Sequence, residues 1–153
     1  MNEAQNPRSA VPSPKSWQLH FDVPIAPCGK ARARATKNRH YTPLETKAAQ
    51  RIIANVARRE MRIKNMGPML KGPVALTIFA WFKTDEKEKH YTSADCKPDW
   101  DNIGKLVSDA LTGVAWKDDC QVSRGMVEKY FGPKDEICVR VRGAWGDYAG
   151  VLP

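Results

Sequence analysis

The segment VALTIFAWF, residues 74–82, constrains the fold more than any other part of the chain. It is rich in β-branched and aromatic residues, and it lies between Gly72-Pro73 and a polar stretch, which is typical of a β-strand. Segments with helical periodicity precede and follow it. We therefore predict an α/β (α+β) fold: one small domain with a mixed β-sheet and two main helices.

The remaining elements follow from periodicity and turn residues. Thr42, Pro43 and Glu45 form a capping box with proline at the first helical position, which predicts a helix start. The charged loop at 84–98 is expected to be mobile, and the last two strands are expected to form a β-hairpin. The predicted order is β-α-β-α-β-β. The strands are predicted at 17–23, 74–82, 121–131 and 136–143, and the helices at about 43–65 and 100–112.

Length and composition set the class of protein. A chain of 153 residues has the size of one ordinary domain. We predict a disordered Pro/Ser-rich tail at 1–15, the folded domain at 16–144 and a C-terminal tail at 145–153. No apolar run reaches the roughly 18 residues of a membrane span, and the N-terminus has no secretory signal. A cytoplasmic protein with no membrane partner is expected, in which the four scattered cysteines form no zinc site.

Charge is distributed unevenly along the chain. The formal net charge is +8, and residues 29–71 contain 12 Lys or Arg against two Glu. Residues 95–119 contain six Asp against three Lys. A basic surface beside a concentrated acidic site indicates a polyanion that one part of the protein holds and another part acts on through cations.

The acidic segment KPDWDNIGKLVSDALTGVAWKDDCQV, residues 97–122, includes the second predicted helix. At about 100° per residue, its apolar residues fall on one side and its polar residues on the other. The helix is therefore predicted to anchor in the core and to present two carboxylates with a lysine between them. The polar side carries Asp101, Lys105, Ser108, Asp109 and Thr112.

Purely structural roles exist for each feature of this segment taken singly. Asp99 can cap the helix, Asp101 and Lys105 can form an i,i+4 ion pair, and Asp118-Asp119 can form a turn. The combination favours a functional site, because a stabilising surface does not require Asp-x-Asp, a lysine and then an Asp-Asp pair.

A calcium-binding loop is the sharper alternative for the same residues. Asp99, Asp101 and Gly104 match the first, third and sixth positions of an EF-hand loop. Two ligand positions would then be Ile103 and Ala110, which offer no coordinating side chain. This alternative is rejected.

The acidic segment closely resembles the signature of the RusA-type Holliday junction resolvases, small endonucleases common in phages and prophages. Their pattern is approximately Asp-x-Asp-Asn-x-x-Lys, then Asp-Ala-Leu, then Asp-Asp-x-Gln-Val. The resemblance covers roughly residues 17–143 and includes a basic Gly-Lys-x-Arg-x-Arg loop that leads to Tyr-Thr-Pro. The matching positions are Asp99, Asp101, Asn102, Lys105, Asp109-Ala110-Leu111, Asp118-Asp119 and Gln121-Val122.

The resemblance implies a Mg²⁺-dependent structure-specific endodeoxyribonuclease, for which Mn²⁺ can substitute. Asp99, Asp101 and Asp119 are the implied metal ligands, with Asp118 as the second choice for the third position. Lys105 would stabilise the scissile phosphate or the transition state. Asp109 and Asn102 would support the site, Asp109 by orienting Lys105 or by joining the outer shell of the metal. Besides the metal, no small-molecule cofactor is expected.

The basic loop is predicted to contact the DNA backbone. The near two-fold symmetry of a four-way junction and the resemblance both imply a homodimer with one acidic site per protomer. We expect this homodimer to act at the nucleoid during recombination and repair. Two alternatives stay open: a nuclease of the same fold that acts on flaps, forks or other branched DNA, and a non-catalytic DNA-binding module. The predicted DNA-binding residues are Lys30, Arg32, Arg34, Lys37 and Arg39.

Overall fold

The computed structural model describes residues 17–30, 34–36, 39–41, 44–67 and 69–144. The predicted tails at 1–15 and 145–153 and the capping residues Thr42 and Pro43 lie outside this part of the chain. None of the helices in these ranges is both long enough and apolar enough to cross a bilayer.

The elements follow the predicted order, with two additional short strands. The strands are β1 (Gln18–Val23), β2 (Arg34–Thr36), β3 (Arg39–Tyr41), β4 (Val74–Lys83), β5 (Val122–Gly132) and β6 (Glu136–Gly143). The helices are α1 (Leu44–Ile63) and α2 (Trp100–Leu111), and 3₁₀ helices lie at Lys87–Lys89 and Asp119–Gln121.

The main sheet has four strands in the order β1-β6-β4-β5. Strand β4 pairs in parallel with β5 and antiparallel with β6, and β6 pairs antiparallel with β1. The sheet is therefore mixed, and together with two helices in one small domain it confirms the predicted α+β fold.

The prediction that β5 and β6 form a hairpin is wrong. Strand β4 lies between them and pairs with both. Strand β4 is central in the sheet, and its backbone N–H and C=O groups find hydrogen-bond partners in β5 on one edge and in β6 on the other. The short connection after Gly132 passes the end of β4, where the backbone N–H of Lys83 donates to Asp135 Oδ1 at 2.9 Å.

The core lies between one face of the sheet and the two helices. Alternate residues of β1 and β6 point into it, and α1 contributes a stripe that includes the fully buried Ile53. The predicted apolar side of α2 is confirmed, since all five of its residues are buried. These residues are Ile103, Leu106, Val107, Ala110 and Leu111.

The charged loop at 84–98 is held against the sheet, in contrast to the predicted mobility. Its backbone pairs with the outer edge of β5: the Tyr91 and Ala94 N–H groups donate to the carbonyls of Phe131 and Lys129, at 2.8 and 2.9 Å. The Phe131 N–H donates back to Thr92 O at 2.9 Å. The loop covers part of an edge strand and leads the chain directly to the start of α2.

The predicted basic loop contains an antiparallel pair of short strands. Arg34 in β2 lies opposite Tyr41 in β3, and Thr36 lies opposite Arg39. Three-residue strands are below the usual length that periodicity detects, which explains why the sequence indicated a loop.

Candidate active site

The polar side of α2 and the start of β5 line one cavity of about 320 Å³. Asp101, Lys105 and Ser108 enter it from successive turns of α2, and Asp119 enters it from the 3₁₀ helix before β5. Gly104 allows this approach, because a Cβ there would lie only 3.3 Å from Val127 Cγ2 of β5. The fold thus brings together Asp101, Lys105 and Asp119, although the first and the last of them are 18 positions apart in the sequence.

Lys105 lies between two carboxylates, neither of which is Asp101. Its ammonium donates to Asp119 Oδ2 and forms an ion pair with Asp109 Oδ1 at 3.0 Å. These hydrogen bonds, first the one to Asp119 and then the one to Asp109, raise the pKa of Lys105. Lys105 is therefore a firmly charged cation at neutral pH, positioned at the cavity.

Asp109 binds a second cation. Its other oxygen, Oδ2, lies 2.5 Å from Lys30 Nζ, so that one carboxylate bridges two ammonium groups. Lys30 is the first residue of the predicted DNA-binding set, and the structure pairs it with the acidic helix.

Asp101 lies between two cavities and makes no ion pair or side-chain hydrogen bond with any described residue. The second cavity, of about 580 Å³, is lined by Asp99, Trp100, Asp101, Ala94 and Lys129. An exposed carboxylate that no described residue engages is available to bind a cation or a substrate group.

Asp99 occupies the N-cap position of α2, but its side chain makes no capping hydrogen bond. It accepts a hydrogen bond from Lys97 Nζ at 2.5 Å instead. This hydrogen bond lowers the pKa of Asp99, so the carboxylate is ionised at neutral pH. Asp99 thus has the backbone conformation of an N-cap residue, but its side chain does not cap the helix.

The two adjacent carboxylates Asp118 and Asp119 have different surroundings. Asp118 Oδ1 accepts a hydrogen bond from the Cys120 N–H at 2.9 Å and caps the 3₁₀ helix. That backbone hydrogen bond lowers the pKa of Asp118. Asp119 faces Lys105 and lines the cavity.

Gln121 fixes the turn that contains Asp118 and Asp119, a role that was not predicted from the sequence. Its Oε1 accepts from the N–H groups of Lys117 and Asp118 at 2.9 and 3.1 Å. Its Nε2 donates to the carbonyls of Leu70 and Gly72 at 3.1 and 2.9 Å. The Asp-Asp-x-Gln pattern could have indicated this role, since Asp and Gln three residues apart form a capping box.

Asn102 contributes through its backbone. Its carbonyl accepts a hydrogen bond from the Lys30 N–H at 2.9 Å. Gly29 is required for this contact, because a Cβ there would lie 2.9 Å from Asn102 Cβ and 3.0 Å from Pro98 Cβ. The segment that begins the basic loop is thus seated on the first turn of α2.

The two tryptophans near the acidic residues differ in burial. Trp116 is completely buried in the core, and its indole nitrogen has no hydrogen-bond partner among the described residues. Trp100 is 62% exposed and lines both cavities beside Asp101. An exposed indole at this place is available for stacking on a base.

The predicted DNA-binding residues are only partly placed. Arg34 and Arg39 lie in β2 and β3, where the structure describes the backbone alone. Arg32 and Lys37 lie outside the described residues. Their contact with DNA stays a prediction.

The donor chemistry of the site fits Mg²⁺. Carboxylate oxygens are its preferred protein ligands, and Mg²⁺ is usually held by one or two carboxylates together with waters and substrate phosphates. Asp101 and Asp119 supply two carboxylates to one cavity. Within the described ranges, no three His, Cys, Asp or Glu side chains are grouped to hold a metal ion. The assignment of three ligands therefore stays a prediction.

The comparison with protein families gives a match that covers most of the chain. A family model described as "Endodeoxyribonuclease RusA" matches residues 24–142, which include α1, α2, the cavity and all of its acidic residues. No curated protein matches the chain at a significant level.

Proposed function

The chain belongs to the RusA family of endodeoxyribonucleases, and we propose that it resolves Holliday junctions by Mg²⁺-dependent, paired symmetric nicks during DNA recombination and repair. The observation that carries the proposal is the convergence of Asp101, Lys105 and Asp119 on one cavity within the matched region. Two carboxylates can hold a divalent cation, and a lysine at the same opening can bind a phosphate oxygen, which together suit a phosphodiester substrate.

The reaction is hydrolysis of a phosphodiester bond: a water attacks phosphorus and a sugar oxygen leaves. When bound, Mg²⁺ supplies Lewis-acid stabilisation of the phosphate and lowers the pKa of a water. Asp99, Asp101 and Asp119 are the residues proposed to hold it, with Asp118 as the alternative to Asp119 and Mn²⁺ as a substitute metal. Asp118 is the weaker candidate, since its carboxylate caps a 3₁₀ helix and, unlike Asp119, does not line the cavity.

Lys105 is proposed to bind the scissile phosphate. Its side chain is 47% exposed and lines the cavity, within reach of an incoming anion. Positive charge directed at the phosphoryl oxygens stabilises the charge that develops in the transition state. Asp109, whose Oδ1 lies 3.0 Å from Lys105 Nζ, is proposed to hold the lysine in place together with Asp119.

A homodimer is proposed as the active assembly. Resolution requires two matched nicks, and a four-way junction has near two-fold symmetry, so two protomers related by a two-fold axis would each present one acidic site.

A panel of branched substrates tests the activity. End-labelled four-way junction, flap and linear duplex are incubated with the protein and Mg²⁺. Cleavage of the junction at symmetric positions, with the flap and the duplex intact, is the expected result. Equal cutting of flaps would replace the proposal with a general branched-DNA nuclease, and binding without cleavage under any divalent cation would contradict an enzymatic function.

The basic loop, which contains Lys30, Arg32, Arg34, Lys37 and Arg39, is expected to set the salt dependence of DNA binding. The double variant Arg32→Ala and Arg34→Ala should weaken junction binding. It should also reduce the magnitude of the slope of the logarithm of the association constant against log salt by about two, because each phosphate contact contributes about 0.9 to that slope. The measurement is fluorescence anisotropy without divalent metal at several salt concentrations.

The matched control is Lys47→Ala with Arg51→Ala, which removes the same charge from the exposed surface of α1. An unchanged slope in the Arg32 and Arg34 variant, or an equal fall in the control, would remove the basic loop from the contact surface.

A further inference from the structure

The structure assigns Lys30 a role that its place in the basic loop does not indicate. We propose that Lys30 is a positioning residue of the active site, which acts through Asp109 to keep the Lys105 ammonium at the cavity, and that it is not a DNA-backbone contact. The proposal rests on the proposed nuclease function, which it deepens.

The first support is the geometry of the Asp109 carboxylate. One oxygen lies 2.5 Å from Lys30 Nζ, and the other lies 3.0 Å from Lys105 Nζ. The Asp109 side chain is 20% exposed, whereas Lys105 and Asp119 are 47% and 43% exposed. Asp109 is thus the least solvated carboxylate of the cluster, and its charge is the least screened by water.

The second support is the backbone around Lys30. Its N–H donates to Asn102 O at 2.9 Å, and Gly29 packs directly against Asn102 and Pro98. These contacts fix the chain on the first turn of α2 and aim the lysine at Asp109, two turns further along the same helix. Because Lys30 is held both at its backbone N–H and at its ammonium group, its side chain is poorly placed to follow a DNA strand.

The consequence follows from charge balance. With Lys30 present, Asp109 shares its charge between two cations, and Lys105 is shared between Asp109 and Asp119. Without the Lys30 charge, Asp109 attracts Lys105 alone. Since the attraction between charges acts over a few Å, the ammonium would move toward Asp109 and away from the cavity. Cleavage should then slow while DNA affinity is retained.

The test separates the rate of cleavage from binding. Lys30→Met keeps most of the aliphatic stem and removes the charge, Lys30→Arg restores the charge, and Lys87→Met is a charge-matched control on the exposed 3₁₀ helix of the 84–98 loop. Single-turnover cleavage at saturating junction is expected to be about tenfold slower in Lys30→Met and to return to within threefold of wild type in Lys30→Arg. Junction affinity without metal should stay within twofold of that of Lys87→Met.

The opposite pattern would overturn the assignment. If Lys30 neutralises a phosphate, Lys30→Met would lower the salt slope of binding by about one relative to Lys87→Met and leave the saturated rate unchanged.

A measurement without DNA keeps this proposal separate from the proposed function. In a urea-unfolding double-mutant cycle of Lys30→Met and Asp109→Asn, the two effects should be non-additive, because the residues form one ion pair. Additive effects would overturn the proposal. If the wild type cuts no DNA at all, the proposed function fails, and the cycle together with the salt slope still decides whether Lys30 pairs with Asp109 or with phosphate.

Discussion

Replacement of Asp101 by Asn is expected to reduce the single-turnover rate of junction cleavage at least about 10³-fold, a loss of roughly 4 kcal/mol in transition-state stabilisation. Asp101 lines both cavities of the site and is not engaged by any described side chain. The amide keeps the size of the side chain and removes the charge that a hard cation requires. Junction affinity measured without metal should be unchanged or higher, since a negative charge near the phosphates is lost.

Asp95→Asn is the matched control for this variant. Asp95 is an exposed residue of the 84–98 loop, it lies in the same acidic region, and it lines neither cavity. Its variant should cut within twofold of the wild-type rate. Cleavage by the Asp101 variant at the wild-type rate, or an equal loss of rate in both variants, would contradict the role of Asp101.

The adjacent pair Asp118 and Asp119 provides the second large effect. Asp119→Asn is expected to reduce cleavage at least about 10²-fold, the range found when one charge-stabilising group is removed from an active site. Asp118→Asn should cost less than about fivefold, because Asn is as good a cap as Asp and can accept the same hydrogen bond from the Cys120 N–H. Quenched-flow cleavage of one labelled junction measures both rates.

Thermal unfolding accompanies the rates, so that loss of the cap is not mistaken for loss of chemistry. Both variants should unfold close to the wild-type temperature. A larger rate loss in Asp118→Asn than in Asp119→Asn, at equal stability, would exchange the two assignments.

The part of the fold that the sequence predicted best is the part whose information is local. The burial of Ile103, Leu106 and Val107 follows from helical periodicity alone, and the β-branched composition of 74–82 located β4. The pairing of β5 was predicted wrongly, because a turn signal at Gly132-Pro133 indicates that the chain reverses and does not indicate which strand it pairs with. That choice depends on β4, whose backbone N–H and C=O groups need hydrogen-bond partners on both edges.

The site shows the same division. The helix geometry placed Asp101, Lys105 and Asp109 on one side of α2, as observed. The partners of Lys105 and the different roles of Asp118 and Asp119 depend on how the next strand approaches, with Asp118 in an extended conformation at φ −142° and ψ 141°. Consecutive residues in a turn have no periodicity that shows where each side chain points. The contact of Lys30 with Asp109 joins residues 79 positions apart, and local pattern carries no information about it.

A supercoiled plasmid that extrudes a cruciform distinguishes Mg²⁺-dependent resolution by paired nicks from separate nicking. Two nicks within one binding event convert the plasmid to linear DNA, whereas separate nicks give open circles first. With Mg²⁺ we expect linear product with symmetric ends from the start of the reaction, and with EDTA we expect none. Open circles that accumulate first, or cleavage that persists in EDTA, would contradict it.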